Sequence, residues 1–299
     1  MIRFEQSTIE QAGHIVIDRL SLAVSAGQAL AVIGRTGAGK STLLAALAAA
    51  VSTRGGDITV QGHSVRRDPA GVRRLIGYVP ARLEAWPAAR AADFLELFAN
   101  AAGLSGTGLR RALDKSLALA GLGGRGSQQI DQLSDGAAKR LLIARALLHD
   151  PQVLVFDDPF ASLDPPDRRE TERLIGDATL MGRTVIAAIN AADVSDCFTH
   201  LAVLADGRIT AHGPASPETF SADRVWRYRF VCRGQATAAA DTLRSLSAEP
   251  HLVDADTVDC RVAAAGPASG RLIEAVVRSG VNVESVGHHP HWAAQLIDS

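Results

Sequence analysis

An excess of either charge is missing from this chain: 31 lysines and arginines stand against 32 aspartates and glutamates. Aromatic residues are also few, at 4%, so there is neither the basic footprint nor the stacking surface on which nucleic-acid binding depends. Nucleic acid is not an expected partner. Long hydrophobic runs are absent too. Leu43–Val51 is among the longest, far below the ~20 residues that a membrane-spanning helix requires, and the polar start Met1–Gln6 carries no secretory apolar segment. The chain is therefore expected to stay in the cytoplasm. Cys197, Cys232 and Cys260 are odd in number and not spaced as ligand pairs, which argues for buried free thiols rather than a disulfide framework or zinc. Size and apolar content are present: 299 residues, 47% hydrophobic, enough for one large domain and a small one.

Residues 34–42 read GRTGAGKST, the pattern of a loop that wraps the phosphates of a nucleotide. Gly34, Gly37 and Gly39 permit the backbone to turn consecutive N–H groups toward an anion, and Thr36, Ala38 and Thr42 are counted with them as nucleotide-binding residues. Lys40 reaches the terminal phosphates and Ser41 can ligate Mg2+. The apolar run Ala29–Ile33 before the loop suits a buried strand, and Ser41–Val51 after it suits a helix whose N-terminus favours negative charge. Strand, loop and helix come in the order that phosphate binding needs, so the stretch 34–42 is expected to bind a nucleoside triphosphate.

Further blocks follow. Val153–Phe156 is a short apolar strand ending in Asp157 and Asp158, which puts an Mg2+-liganding carboxylate opposite the phosphate loop. Ser162-Leu163-Asp164-Pro165 comes next, and QLSDGAAKR, residues 132–140, precedes the helical run LLIARALLHDP with Ser134 and Asp135 as N-terminal caps. The order and content of these blocks resemble the ATP-binding subunit of an ABC transporter, from about Ile2 to Pro214. The resemblance implies an α/β P-loop ATPase core with an antiparallel subdomain and a helical subdomain. It also implies that ATP and Mg2+ are sandwiched between two such domains, with Ser134 and Gly136 closing on the partner's nucleotide and Ser162 and Asp164 in a loop at the dimer interface. Transmembrane transporter subunits are then expected as partners, with the chain peripheral at the cytoplasmic face of the membrane.

Departures from that family's pattern cluster at hydrolysis. Where the family has a glutamate that polarises the attacking water, the chain has Asp158, with no Glu between Glu96 and Glu170. That withdraws the carboxylate by one C–C bond, about 1.5 Å, and a misplacement on the order of 1 Å can cost ~100-fold in rate. The switch histidine aligns with Asn190, which can hydrogen-bond but cannot take up a proton or a positive charge. A glutamine expected after the strand Leu75–Val79 falls at Ala81. The signature block reads Leu133-Ser134-Asp135-Gly136-Ala137, which adds an acid, and the adenine-stacking aromatic aligns with Gln11. Loss of stacking weakens binding about ten- to a hundredfold. A homodimer would carry every deviation in both sites, so a heterodimer with a complete second ABC ATPase is expected. The alternative is a regulatory or structural module that binds nucleotide without turnover.

Organisation follows from these anchors. Strands at Ile2–Phe4, Ile15–Ile17, Ser21–Val24 and Gly56–Gly62 are expected to form the antiparallel subdomain. Helices at Ala91–Ala102 and Leu109–Leu119 join the signature helix in a helical subdomain of about 82–150, with glycine-rich turns at Gly103–Gly108 and Gly121–Gly126. Val153–Phe156, Thr184–Ile189 and Leu201–Leu204 read as parallel core strands and Asp167–Leu180 as a helix between them. The ATP-binding domain is expected to span 1–222. Over 223–299 the pattern is a strand at Tyr228–Cys232, a helix at Ala236–Leu246, strands at His251–Ala255 and Thr257–Val262, a helix at Ser269–Ser279 and a strand at Val281–Val286. That order is ferredoxin-like, and it resembles the C-terminal extension of exporter-class ABC ATPases whose membrane subunits are encoded separately. His288, His289 and His291 lie close together, but Pro290 interrupts their spacing and no cysteine or carboxylate accompanies them, so a solvated loop is expected rather than a metal site.

Overall fold

A computed structural model describes residues 2–82, 89–215, 225–246, 248–263 and 269–288, in two compact units, 1–212 and 213–299. Strands β1 (Ile2–Gln11) and β2 (His14–Val24) form one long antiparallel hairpin. The run expected as two strands at 15–17 and 21–24 is a single strand. Register shifts along β1 absorb the irregularity between them, with Gln6 and Arg19 at φ 47° and 43°. Bulges of this kind let a ladder continue past residues that break its alternation. β3 (Ala29–Ile33) leads to α1 (Lys40–Leu47), which is shorter than the expected helix because the chain turns at Ala49, φ 54°.

β4 (Gly55–Val60) and β5 (His63–Ser64) complete a four-stranded sheet ordered β2-β1-β4-β5. α2 (Pro69–Leu75) was not expected. It is set by Asp68, whose carboxylate accepts from Gly71 N–H at 2.9 Å, and by a proline in the first turn. β6 (Ile76–Val79), α3 (Ala91–Ala101), α4 (Gly106–Leu119) and α5 (Asp135–Leu147) follow, and the three helices pack on one another. Ser134 caps α5, its Oγ accepting from Ala137 N–H at 3.2 Å, while Asp135 is the helix's first residue rather than a cap.

β7 (Val153–Asp157), α6 (Pro165–Leu180), β8 (Thr184–Ala188), β9 (His200–Ala205) and β10 (Arg208–Pro214) complete the larger sheet, ordered β10-β9-β3-β8-β7-β6. β3, β8, β9, β7 and β6 pair in parallel. α1 lies between the two sheets. Its Leu43, Leu44 and Leu47 are buried in a core with Ile2, Ile17 and Ile58 of the antiparallel sheet and Val32, Val155 and Ile186 of the parallel one.

In the second unit β11 (Val225–Val231), α7 (Ala236–Ser245), β12 (Glu249–Leu252), β13 (Thr257–Ala263), α8 (Ser269–Arg278) and β14 (Ser285–His288) build an antiparallel sheet ordered β12-β13-β11-β14. This is the ferredoxin-like arrangement, closed over Phe230, Leu243, Val258, Leu272 and Val276. The last strand starts four residues later than expected. Asn282 N–H is taken by Gln235 Oε1 at 2.7 Å and Val281 is buried, so the approach to the strand is held as loop.

Two glycines separate packing from propensity. A Cβ on Gly77 in β6 would lie 2.4 Å from the Ala146 carbonyl oxygen of α5, whereas one on Gly176 in α6 meets nothing within 4 Å. Gly77→Ala should destabilise the chain by about 1–3 kcal/mol through overpacking, and Gly176→Ala should stabilise it by about 0.5–1 kcal/mol. Urea midpoints at constant slope check both signs.

Candidate functional site

Parallel register brings the site together. Ala188 at the end of β8 pairs with Val32 of β3 on one side and Asp157 of β7 on the other. The carboxyl ends of these strands therefore open on one edge, where α/β sheets bind ligands. The phosphate loop leaves that edge one residue after Ile33. Gly37 and Gly39 adopt φ 85° and 98°, accessible to glycine at little cost, and Gly39 forms the N-cap of α1. Gly34 is needed for a different reason: a Cβ there would lie 2.3 Å from the Leu204 carbonyl oxygen.

A cavity of about 410 Å³ gathers Gln11, Thr36, Gly37, Gly39, Lys40, Ser41, Thr42, Asp157, Asp158 and Asn190. Lys40 Nζ folds back on the loop and donates to the carbonyl oxygens of Gly34 at 2.7 Å and Arg35 at 3.1 Å. Burial pulls its ammonium below the usual lysine range, against the opposing pull of Asp158 and Asp157. Ser41 Oγ donates to Asp157 Oδ1 at 2.9 Å, a hydroxyl and a carboxylate side by side, which is the hard-oxygen pairing that suits Mg2+. Thr42 Oγ1 donates to Gln11 Oε1 at 2.9 Å. Gly34 and Ala38 shape the loop without lining the cavity.

Asp158 sits in a different environment from Asp157. Its backbone is left-handed, φ 46°, its N–H donates to the Ala188 carbonyl at 2.9 Å, and its Oδ1 is buried without a hydrogen-bond partner. Burial chiefly raises its pKa, with Asp193 and Asp157 adding and Lys139 opposing. Lys139 is a residue that sequence patterning missed. It lies on α5 yet is only 5% exposed, and its Nζ donates to the carbonyl oxygens of Ala81 at 2.8 Å and Asp158 at 3.0 Å. A lysine in a helix reads as solvated until its neighbours are known.

Ser134, Gly136, Ser162 and Asp164 lie outside the cavity. Ser134, Ser162 and Asp164 are exposed. Gly136 is buried, and the carboxylate of Asp167, ion-paired with Arg140, fills the space where a side chain would stand: a Cβ would lie 1.7 Å from Asp167 Oδ2. Asp164 caps α6, its Oδ1 accepting from Asp167 N–H at 2.8 Å. A larger cavity of about 870 Å³, beside Tyr78, Phe98, Arg145 and His149, contains none of the motif residues. His288 ends β14, while His289 and His291 lie outside the described residues. Among the described residues no three histidines, cysteines or carboxylates cluster as a metal site, and no helix is long and apolar enough to cross a membrane.

Residues 17–161 match the family described as ABC transporter. The chain is 30% identical to the Nod factor export ATP-binding protein I of Burkholderia pseudomallei over 213 residues, 71% of this chain and 70% of that protein. The chain belongs to the ABC transporter ATP-binding family. Similarity to the protein of the same name from Burkholderia thailandensis is 28% over 272 residues, 91% of this chain and 89% of that one. A solved dimeric ATP-binding cassette in a post-hydrolysis state, bound to ADP and Pi, shares the fold, with a TM-score of 0.65 at 22% identity over 72% of this chain and 99% of that one. In this ABC ATP-binding chain, Lys139 ties helix α5 to the backbone at two distant points, Ala81 and Asp158. Lys139→Met would leave two carbonyl oxygens without their charged donor. The expected loss is about 1–3 kcal/mol, read from urea unfolding.

Proposed function

We propose that this ABC transporter ATP-binding subunit binds Mg-ATP at an interface with a complete ABC ATPase and hydrolyses little of it, energising separate membrane subunits of an export system. The carrying observation is a contrast within one cavity. At the phosphate end, the glycine turns, Lys40 and the Ser41–Asp157 pair are in place. Residues 34–42 would hold the triphosphate, and Ser41 with Asp157 would hold Mg2+, which neutralises phosphate charge when bound.

At the hydrolysis end, Asp158 is short, buried on one oxygen and left-handed in its backbone, Asn190 cannot take up a proton, and position 81 offers only a backbone carbonyl already taken by Lys139. A base must reach the water it activates, and none of these groups is arranged for that. Ser134, exposed at the start of α5, would serve the partner's nucleotide, as a helix N-terminus favours anions. The exposed Ser162 and Asp164 would face the same partner. The export direction rests on the names of the relatives. Residues 1–222 would form the ATPase and 223–299 an accessory domain.

Titration with a fluorescent ATP analogue beside a phosphate-release assay tests the binding half. Binding without brisk turnover is expected, and Lys40→Ala should abolish it. Ala81→Gln, Asp158→Glu and Asn190→His together should raise turnover beyond the product of their separate effects, because groups that act as one unit are non-additive. An additive series would refute the reading of those three positions. In a complex with a complete ABC ATPase, Ser134→Gly should remove most ATPase activity, since it deletes the hydroxyl while costing the helix cap only a few tenths of a kcal/mol. Asp158→Ala should remove little. The reverse pattern would make this chain the working catalyst.

A further inference from the structure

Asp157 and Asp158 both line the cavity at the phosphate loop, and Lys40 is the only cation that lines it among the described residues. Two carboxylates against one ammonium make an unfavourable wall for a polyanion. A second ammonium lies behind that wall. Lys139 Nζ is 3.0 Å from the Asp158 carbonyl oxygen and 2.8 Å from that of Ala81, on a side chain only 5% exposed. Burial lowers the Lys139 pKa, and the Asp158 and Asp157 carboxylates pull it back up. The influence is mutual: burial raises the pKa of Asp158, and of the charges around it Lys139 acts most strongly and Lys40 least. Because the path runs through protein rather than water, salt screens it little.

A charge in that position separates ligands that differ in charge but share a shape. Free ATP and Mg-ATP present the same phosphates and differ by the dication, which Ser41 and Asp157 would hold. An ammonium behind the carboxylates attracts the phosphates in both cases and repels the dication in one. It offsets part of the carboxylate repulsion that the dication otherwise relieves, and a chelator cannot remove it. Two backbone carbonyls hold the ammonium before any ligand arrives, so its field is already in place.

We propose that Lys139 is a built-in counter-charge for the triphosphate, so that nucleotide binding to this chain depends only weakly on magnesium. The inference rests on the nucleotide-binding reading of the phosphate loop. Lys139 touches no ligand in it and acts through its charge alone.

Titration of the full chain with a fluorescent ATP analogue, in excess magnesium and again in EDTA, gives two dissociation constants whose ratio reports magnesium dependence. On the native chain they should agree within about tenfold. Lys139→Gln removes the charge while keeping amide donors for the two carbonyls, and should raise the ratio by a further factor of about ten. Lys139→Arg keeps the charge and should return a ratio close to the native one. Circular dichroism establishes that each variant is folded. A lysine with a structural role only would move both dissociation constants together and leave their ratio alone. An unmoved ratio in folded Lys139→Gln overturns the proposal, as does an equal rise in Lys139→Arg. If neither variant folds, the native ratio decides, and a loss of more than about tenfold on chelation overturns the proposal. A native chain that binds no triphosphate in either buffer overturns the nucleotide-binding reading itself, and this proposal with it.

Discussion

The site depends on a row of backbone pairs across three parallel strands: Val32, Ala188 and Asp157. Parallel ladders point every strand the same way, so their carboxyl ends share one edge and whatever follows each strand converges there. The phosphate loop follows β3, Asp158 follows β7 and Asn190 follows β8. A slip of one residue would turn Asp157 to the opposite face of the sheet. Complete burial of β3, β7 and β8 on both faces guards against that slip.

Electrostatics divides the cavity into two ends. Lys139 is buried and Lys40 half-buried, and each ammonium group is held by backbone carbonyls rather than by a direct salt bridge: Lys40 by Gly34 and Arg35, Lys139 by Ala81 and Asp158. Lys40 opens on the phosphate loop, where an incoming anion can replace its carbonyl partners. Lys139 spends its donors on the polypeptide, at Ala81 and Asp158. Breaking such a buried contact leaves charge or carbonyl unpaired, a costly outcome in low dielectric. One lysine thus lies at the wall of the cavity, and the other is committed to the polypeptide.

The same logic extends to the signature helix. Asp167 from α6 covers Gly136 and pairs with Arg140 on α5. One residue on, Arg168 donates to Asp193 Oδ1 at 2.5 Å and lies over the Phe160 ring at 4.9 Å. Adjacent residues at the start of α6 thus grip the signature helix on one side and the turn after Asn190 on the other. A shift of α6 would be felt at both places, because packed elements move as units.

Local spacing was enough to locate the phosphate loop, the acidic strand end, the helical subdomain and the ferredoxin-like order of the second unit, since each follows from turn chemistry and from the period of apolar residues along a few consecutive positions. The departures at Ala81, Asp158 and Asn190 were legible only through the resemblance to the ABC family, whose pattern has other residues there. What only the folded chain decided are contacts between residues far apart in sequence. Lys139 gave no signal, because a helical lysine is buried only when two distant carbonyls meet it. The cover of Gly136 by Asp167, the Gln11–Thr42 pair and the continuity of β2 through a bulge are of the same kind. Each depends on which surfaces the sheet register brings face to face, and that register is a property of the whole core rather than of any window of sequence.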